Sequence, residues 1–542
     1  MRHMSVLVSA LLAAATPALA GEPPHPTLVV AIVVDQYSAD VFSEYRAVYR
    51  DGLARLTSGV VFPRGYQSHA ATETCPGHST VLTGVRPGRN GIIANDWQNA
   101  RLRRKAGDDA TYAVYCAEDP GAADSDARRK TISPAQLLVP TLGDRLKAVN
   151  AASRVVAISG KDRSAVMLGG HHADLTLWWT NRGFVTYDDQ ASRIPRAISE
   201  KVNKTGVESF AHGVQQKLPP QCAGRSRQFQ VSPQVSIGTL QSFGPNSRRW
   251  RTTPAFDAVT VDAALAAVSE LQLGKRNVTD LLAISLAGTD YVGHYFGTAG
   301  AEMCSQQLAL DATIGRLLTA LDRTGVSYVV ALTADHGGID TTERNQQRGV
   351  PAQRLDPGLL PGKIGAELTA ELGLGEPALL GDNEFTSDVW FSPAVPAEKY
   401  AALLDAAVRK YSSHPQVEKV FTRSELIAAA PPAGPADEWT LLERAKASFN
   451  PGRSGDLLVF LKPYVSIYSR VVNPETDYSA SHGSAWEYDR RVPILFWWRG
   501  ITGFEQPAAV ETVDIAPTLA SLMGLKIPPG EVDGRVLPIV VR

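Results

Sequence analysis

Thr27-Leu28-Val29-Val30-Ala31-Ile32-Val33-Val34-Asp35 is an unbroken apolar run that ends in a carboxylate. Arg154–Ile158, Leu281–Leu286, Ser327–Leu332, Leu457–Leu461 and Val492–Trp497 have the same character and recur at long intervals. β-branched side chains fill a pleated surface, and a run that is apolar on both faces needs cover on both. Between several of these runs lie helical patterns. Val259–Leu271 is one; Ser305–Leu321 is another, with Leu308, Leu310, Ile314, Leu317, Leu318 and Leu321 on one face. Strands alternating with helices predict an α/β chain whose mostly parallel sheet is covered on both sides.

In such sheets the chemistry gathers beyond the carboxyl ends of the strands. Polar residues stand at those ends here: Asp35 after Val34, Lys161 and Arg163 after Ile158, Asp290 after Leu286, and Asp335-His336 after Leu332. All are expected on one rim. The segments at roughly 98–135, 165–255 and 340–455 are richer in Gly, Pro, Gln and charge and lack clear periodicity. They read as insertions that cap the rim.

A chain of 542 residues, 44% hydrophobic, can bury a large core. Lys and Arg number 54 against 55 Asp and Glu, so no whole-molecule field exists to gather nucleic acid or anionic membranes. Affinity for any anion must be local. Residues 1–20 read as a secretory signal peptide, with Arg2 and His3, an apolar run Val6–Ala15 and Ala18-Leu19-Ala20 before Gly21. That leaves 21–542 as one domain with cap insertions. No cysteine stands immediately after the cleavage site and no other stretch is long and apolar enough to span a bilayer, so no membrane anchor is expected. Export makes Cys75, Cys116, Cys222 and Cys304 candidates for disulfides, with three pairings open.

Divalent zinc favours imidazole and carboxylate ligands, and a catalytic pair of ions needs about six of them with positions left open. Asp290 and His294 stand four apart, which one helical turn aims at a common point. Asp335 and His336 are adjacent before Gly337-Gly338, Asp35 ends the first strand, and His482 lies in Ser481-His482-Gly483. Each is weak alone; their joint occurrence at predicted strand ends is the signal. His69, His78, His171, His172, His212 and His414 have no carboxylate at ligand spacing and read as packing or surface residues. Thr72-Glu73-Thr74-Cys75-Pro76-Gly77-His78-Ser79 describes a helix start with Thr74 near the cap, and a helix N-terminus suits a phosphoryl oxygen.

Asp35, Thr-x-Thr-x-Pro-Gly-His, Gly-Ile-Ile-x-Asn, Gly-Lys-Asp-Arg-Ser, Asp-x-x-x-His, Asp-His-Gly and Ser-His-Gly, in that order, resemble the alkaline phosphatase superfamily. More narrowly, the set is similar to the threonine-nucleophile alkaline phosphatases of the nucleotide pyrophosphatase/phosphodiesterase branch. Val513-Asp514-Ile515-Ala516-Pro517-Thr518-Leu519 with Asp533-Gly534 resembles the superfamily's closing motif, so the likeness runs from Asp35 to about Leu537. It implies a three-layer sandwich with a mostly parallel sheet between helices, and a secreted, periplasmic enzyme.

By that resemblance, Asp290, His294 and His482 hold one zinc, and Asp35, Asp335 and His336 hold a second that also meets Thr74. Thr74 is the nucleophile, and Asn95, Lys161 and Arg163 bind the transferred phosphoryl oxygens. The implied reaction is hydrolysis of small-molecule phosphate monoesters through a phosphothreonine, with weaker diesterase activity; the alternative is a nucleotide pyrophosphatase/phosphodiesterase. Two fixed cations, Lys161 and Arg163, suit the extra charge of a monoester dianion. A sulfatase is disfavoured because Cys75-Pro76-Gly77-His78-Ser79 lacks that branch's cysteine pattern, which leaves Cys75 a structural thiol or half of a disulfide. A phosphoethanolamine transferase would carry N-terminal membrane helices. Oligomeric state stays open, a monomer being compatible.

Overall fold

The computed structural model describes residues 25–102, 112–122, 125, 130–381 and 384–540. The signal peptide expected over 1–20 lies outside them. Leu28–Val34 stands inside a ten-stranded sheet. Along the sheet the order is Phe504–Glu505, Val60–Tyr66, Arg491–Trp498, Tyr328–Thr333, Leu28–Val34, Asp280–Leu286, Val155–Ser159, Leu175–Thr180 and Gly183–Val185; Val510–Glu511 also pairs with Val60–Tyr66. Leu28–Val34 runs parallel to both neighbours, with Val34 opposite Leu286 and Val33 opposite Thr333. Matched registers end these strands level, so Asp35, Asp290 and Asp335 leave on one rim.

Every residue of Leu28–Val34 is buried, and alternate side chains serve different cores. Leu28, Val30, Ile32 and Val34 face a core that includes Ala263 and Ala267 of helix Pro254–Glu270 and Leu310, Ile314 and Leu317 of helix Ala301–Thr324. Val29, Ala31 and Val33 face Leu82 of helix Thr74–Thr83, Leu142, and Leu519 of helix Ile515–Leu522. Helix, sheet and helix make three layers. Each fully buried Val, Leu or Ile contributes about 1.5–3 kcal/mol relative to exposure.

Two runs differ from their expected setting. Leu457–Leu461 is a strand, but of a separate antiparallel sheet between Asp388–Val389 and Val417–Thr422. Its Leu457, Val459 and Leu461 face one small core and its Leu458 and Phe460 another, so a strand buried on both faces reads alike in either sheet. Val492–Trp497 is in the central sheet yet antiparallel to both neighbours. The segment 165–255 is corrected in part: Leu175–Thr180 and Gly183–Val185 belong to the central sheet, and Ile198, Val202 and Trp250 join its main core. The segment 340–455 holds most of the small sheet and its helices Pro361–Leu372 and Tyr400–Ser413.

Disulfides join Cys75 to Cys116 and Cys222 to Cys304. The second ties the short helical turn Pro220–Arg225 to helix Ala301–Thr324 across 82 residues, a closure worth about 4.5 kcal/mol in the chain-entropy account. The first fastens the start of helix Thr74–Thr83 to the hairpin of Asp96–Gln98 and Ala113–Tyr115. No helix among the described residues is long and apolar enough to cross a membrane.

Candidate active site and metal centre

The six expected ligands converge. Asp290 and His294 share the short helix Gly288–Phe296, and their side chains meet with His294 Nε2 3.3 Å from Asp290 Oδ1. His482 Nε2 lies 3.7 Å from the same oxygen. His336 Nε2 lies 3.6 Å from Asp35 Oδ1 and 3.4 Å from Asp335 Oδ2, and the His336 ring stacks on His482 with centroids 3.7 Å apart. Ligand atoms of Asp290, His294 and His482 fall within 4.8 Å of one another, as do those of Asp35, Asp290 and His336. The two halves are one contiguous cluster, with Asp35 and Asp290 at the joint.

Each imidazole is turned by a backbone carbonyl. Nδ1 of His294 donates to Ala480 O (3.1 Å), that of His336 to Gly337 O (2.8 Å) and that of His482 to Thr72 O (2.9 Å). A ring that donates through Nδ1 presents Nε2 as a neutral acceptor, the form a metal takes. Burial, opposed by the facing carboxylates, holds His294 and His336 below the ordinary imidazole range. His482 lies well below it, through burial and its two neighbouring histidines.

Asp335 is aimed the same way: its Oδ1 accepts from the N–H groups of Gln36 (3.0 Å) and His336 (2.9 Å), which leaves Oδ2 inward. Gln36 reaches it from a left-handed backbone, φ 61°, the kind of local strain that packing sustains at functional sites. Lys161 Nζ lies 2.6 Å from Asp35 Oδ2 and 2.6 Å from Asp290 Oδ2. Burial, then Asp290 and Asp335, push the Asp35 carboxyl well above its usual range. Burial acts in the same sense on Asp290, but Lys161 and the imidazoles outweigh it and hold that carboxyl well below.

Those charges provide the test of a metal. Three buried carboxylates, Asp35, Asp290 and Asp335, face the single ammonium of Lys161. Buried Asp35 Oδ1, Asp290 Oδ1 and His336 Nε2 have no hydrogen-bond partner. Buried polar atoms are otherwise nearly always paired, so inward-facing lone pairs and excess negative charge fit a site for divalent cations. Oxygen and imidazole nitrogen are the donor set of zinc and its neighbours.

Thr74 is the first residue of helix Thr74–Thr83, with Glu73 at the N-cap. The helix comes this close because position 77 is glycine: a Cβ there would lie 2.0 Å from the Asp335 carbonyl oxygen. Arg163 Nη2 donates to Thr74 Oγ1 at 3.4 Å. Asn95 accepts from the Cys75 N–H through Oδ1 (2.9 Å), so what it can offer a ligand is its NH2 group. Arg163 follows Asp162, whose Oδ1 takes the Tyr115 hydroxyl at 2.7 Å. A cavity of 320 Å³ opens over these groups, lined by Asn95, Lys161, Arg163, Tyr291, Tyr468 and Tyr478 among others. Tyr478 stacks on His294 at 4.3 Å.

All ten expected residues thus stand at one site. Reading spacing along the chain missed His78, which has a carboxylate neighbour after all: its Nδ1 is 3.0 Å from Asp335 Oδ2. The signal was its place four residues after Thr74, one turn along the same helix face. His171 and His414 also meet carboxylates, Asp144 and Asp356, away from this site. His69 is a packing residue, fully buried.

A family model described as type I phosphodiesterase / nucleotide pyrophosphatase matches residues 29–485. The alkaline phosphatase PhoK of a Sphingomonas species is 45% identical over 526 residues, covering 95% of this chain and 91% of the relative. The alkaline phosphatase PhoD of Zymomonas mobilis is 45% identical over 520 residues, covering 94% and 88%. The crystal structure of the alkaline phosphatase PafA matches with a TM-score of 0.81 at 26% identity, covering 96% of this chain and all of that one.

Proposed function

The chain belongs to the type I phosphodiesterase / nucleotide pyrophosphatase family, and on that premise we propose that it is an alkaline phosphatase that hydrolyses phosphate monoesters to alcohol and inorganic phosphate. The carrying observation is the Thr74 hydroxyl at a helix start, touched by Arg163, beside a buried cluster of six metal-type ligands.

In this reading Asp290, His294 and His482 hold one zinc ion, and Asp35, Asp335, His336 and the Thr74 oxygen a second. Such a pair supplies Lewis-acid charge that lowers the pKa of a hydroxyl or water and stabilises the departing oxygen. The chain's own groups do the rest. Thr74 Oγ1 attacks phosphorus in line, the P–O bond to the alcohol breaks, and a phosphothreonine remains. Arg163, Lys161 and the NH2 of Asn95 hold the non-bridging oxygens, so the moving group is fixed while its charge spreads. Water then attacks phosphorus, the bond to Thr74 Oγ1 breaks, and inorganic phosphate leaves.

Two cations on the phosphoryl group favour a dianionic monoester over a diester, which carries one charge less. The family description equally admits a diesterase, and one comparison separates the two. Replacing Lys161 and Arg163 together by alanine is expected to lower kcat/KM for an aryl phosphate by about 10²-fold or more, since charge-assisted hydrogen bonds contribute about 1.5–3 kcal/mol each. Turnover of an aryl phosphate diester should fall much less; equal losses overturn the monoester assignment. The two disulfides and the apolar, small-residue-terminated leader support export to the periplasm as the place of action.

A further inference from the structure

His78 is fully buried behind the rim, on the face of helix Thr74–Thr83 that turns toward the sheet. Its Nδ1 donates to the carbonyl oxygen of Thr74 at 2.9 Å, and the same nitrogen lies 3.0 Å from Asp335 Oδ2. Its Nε2 is 2.9 Å from the hydroxyl of Ser285, in strand Asp280–Leu286. Nδ1 faces a carbonyl and a carboxylate, both acceptors, so it carries a proton, while Nε2 is engaged by the Ser285 hydroxyl. With both nitrogens engaged, His78 is not a fourth imidazole ligand, although its ring stands among Asp35 and Asp335.

We propose that His78 is a positioning residue that locks the backbone of Thr74 to the carboxylate of Asp335, so that hydroxyl and metal ligand are held in mutual register. The inference rests on the phosphatase reading above. Three elements meet at one imidazole: the first turn that carries Thr74, the loop that carries Asp335, and the strand that leads to Asp290. The Nδ1–H points a donor at the one Asp335 oxygen that faces the ligand cluster, while Oδ1 is fixed by two backbone N–H groups. Gly77, next in sequence, brings the helix within reach of the same aspartate. Partners behind metal ligands typically influence affinity or activity by about 10–100-fold, and that is the size expected here.

The test compares His78→Asn with His78→Leu. Both shrink the side chain, but only asparagine keeps an N–H donor near the position of Nδ1. Each zinc-loaded variant is titrated with a chelator and its residual zinc counted, and kcat and KM are measured for an aryl phosphate. His78→Leu is expected to release one of the two zinc ions at about 10–100-fold lower chelator than the parent, with kcat falling in the same range and KM changing little. His78→Asn should recover most of both losses. Equal losses in the two variants would make His78 a packing residue, and a leucine variant with parental zinc retention and kcat would overturn the proposal. A parent enzyme that holds no zinc and hydrolyses no monoester would instead overturn the phosphatase reading, a different result.

Discussion

Thr74 combines three properties that a plain helix cap does not need together: a first-turn position, an arginine on its hydroxyl at 3.4 Å, and a neighbouring glycine that lets Asp335 approach. Replacing Thr74 by alanine removes the attacking oxygen while leaving the arginine and the ligand cluster in place. Turnover of an aryl phosphate should drop by at least about 10³-fold, with Thr74→Ser retaining measurable rates. Acid-quenched parent enzyme should carry phosphate on the peptide containing Thr74. Near-normal turnover by the alanine variant would remove the covalent route. Aspartates after strands and an Asp-x-x-x-His spacing were enough to pick out from sequence the side chains that gather at the rim, because each follows a run whose end sets its place. His78 escaped because its carboxylate partner lies 257 positions away in sequence, and only the packing of helix on strand brings them together.

At the scale of elements, the rim exists because neighbouring strands end level and helices begin just beyond them. Gly77 is where helix and rim touch. Gly77→Ala must displace either the helix or the Asp335 backbone, since the new methyl would lie 2.0 Å from a carbonyl oxygen. Overpacking of this kind destabilises by about 1–3 kcal/mol. A lowered Tm together with a fall in kcat is expected; unchanged values of both would contradict the close approach.

The helix that carries Asp290 and His294 starts at Gly288, whose N–H donates to Asp257 Oδ1 at 2.9 Å, and Gln306 donates to the other oxygen at 2.8 Å. Burial, opposed by those hydrogen bonds, lifts the Asp257 carboxyl to about 6. A folded pKa above the unfolded one means that the folded chain binds more protons between roughly pH 4 and 6. The contribution of Asp257 to stability is therefore greatest below that window and is lost as pH rises through it. Asp257→Asn removes the titration, and Gln306 Oε1, buried without a partner, can accept the new NH2 group after an amide flip. Denaturant unfolding at pH 4.5 and pH 7 should show the variant gaining on the parent with rising pH, by on the order of 2 kcal/mol. A difference that does not move with pH would refute the buried-carboxyl account.

For the whole molecule, periodicity and β-branched runs disclosed the three layers, since Leu28–Val34 is apolar on both faces and feeds two cores. The same property misplaced Leu457–Leu461, which also has two apolar faces but lies in the small sheet. Val60–Tyr66 was hidden by Pro63, Arg64 and Gly65, residues that demote a strand in sequence and are tolerated here because Pro63 and Arg64 form a bulge opposite Pro493. Leu175–Thr180 was hidden inside a segment whose other residues lack periodicity. The pairing of four cysteines is a property of the folded chain and had no trace along it.

On the proposed reading Asp35, Asp290, Asp335, His294, His336 and His482 hold two cations beside Thr74. Metal analysis of the purified enzyme, repeated after exhaustive chelation and after zinc is restored, tests it most directly, with aryl phosphate hydrolysis followed in parallel. Two zinc ions per chain are expected, with loss of hydrolysis when they are removed and its return when they are restored. A metal-free protein that hydrolyses the ester at the same rate would contradict it.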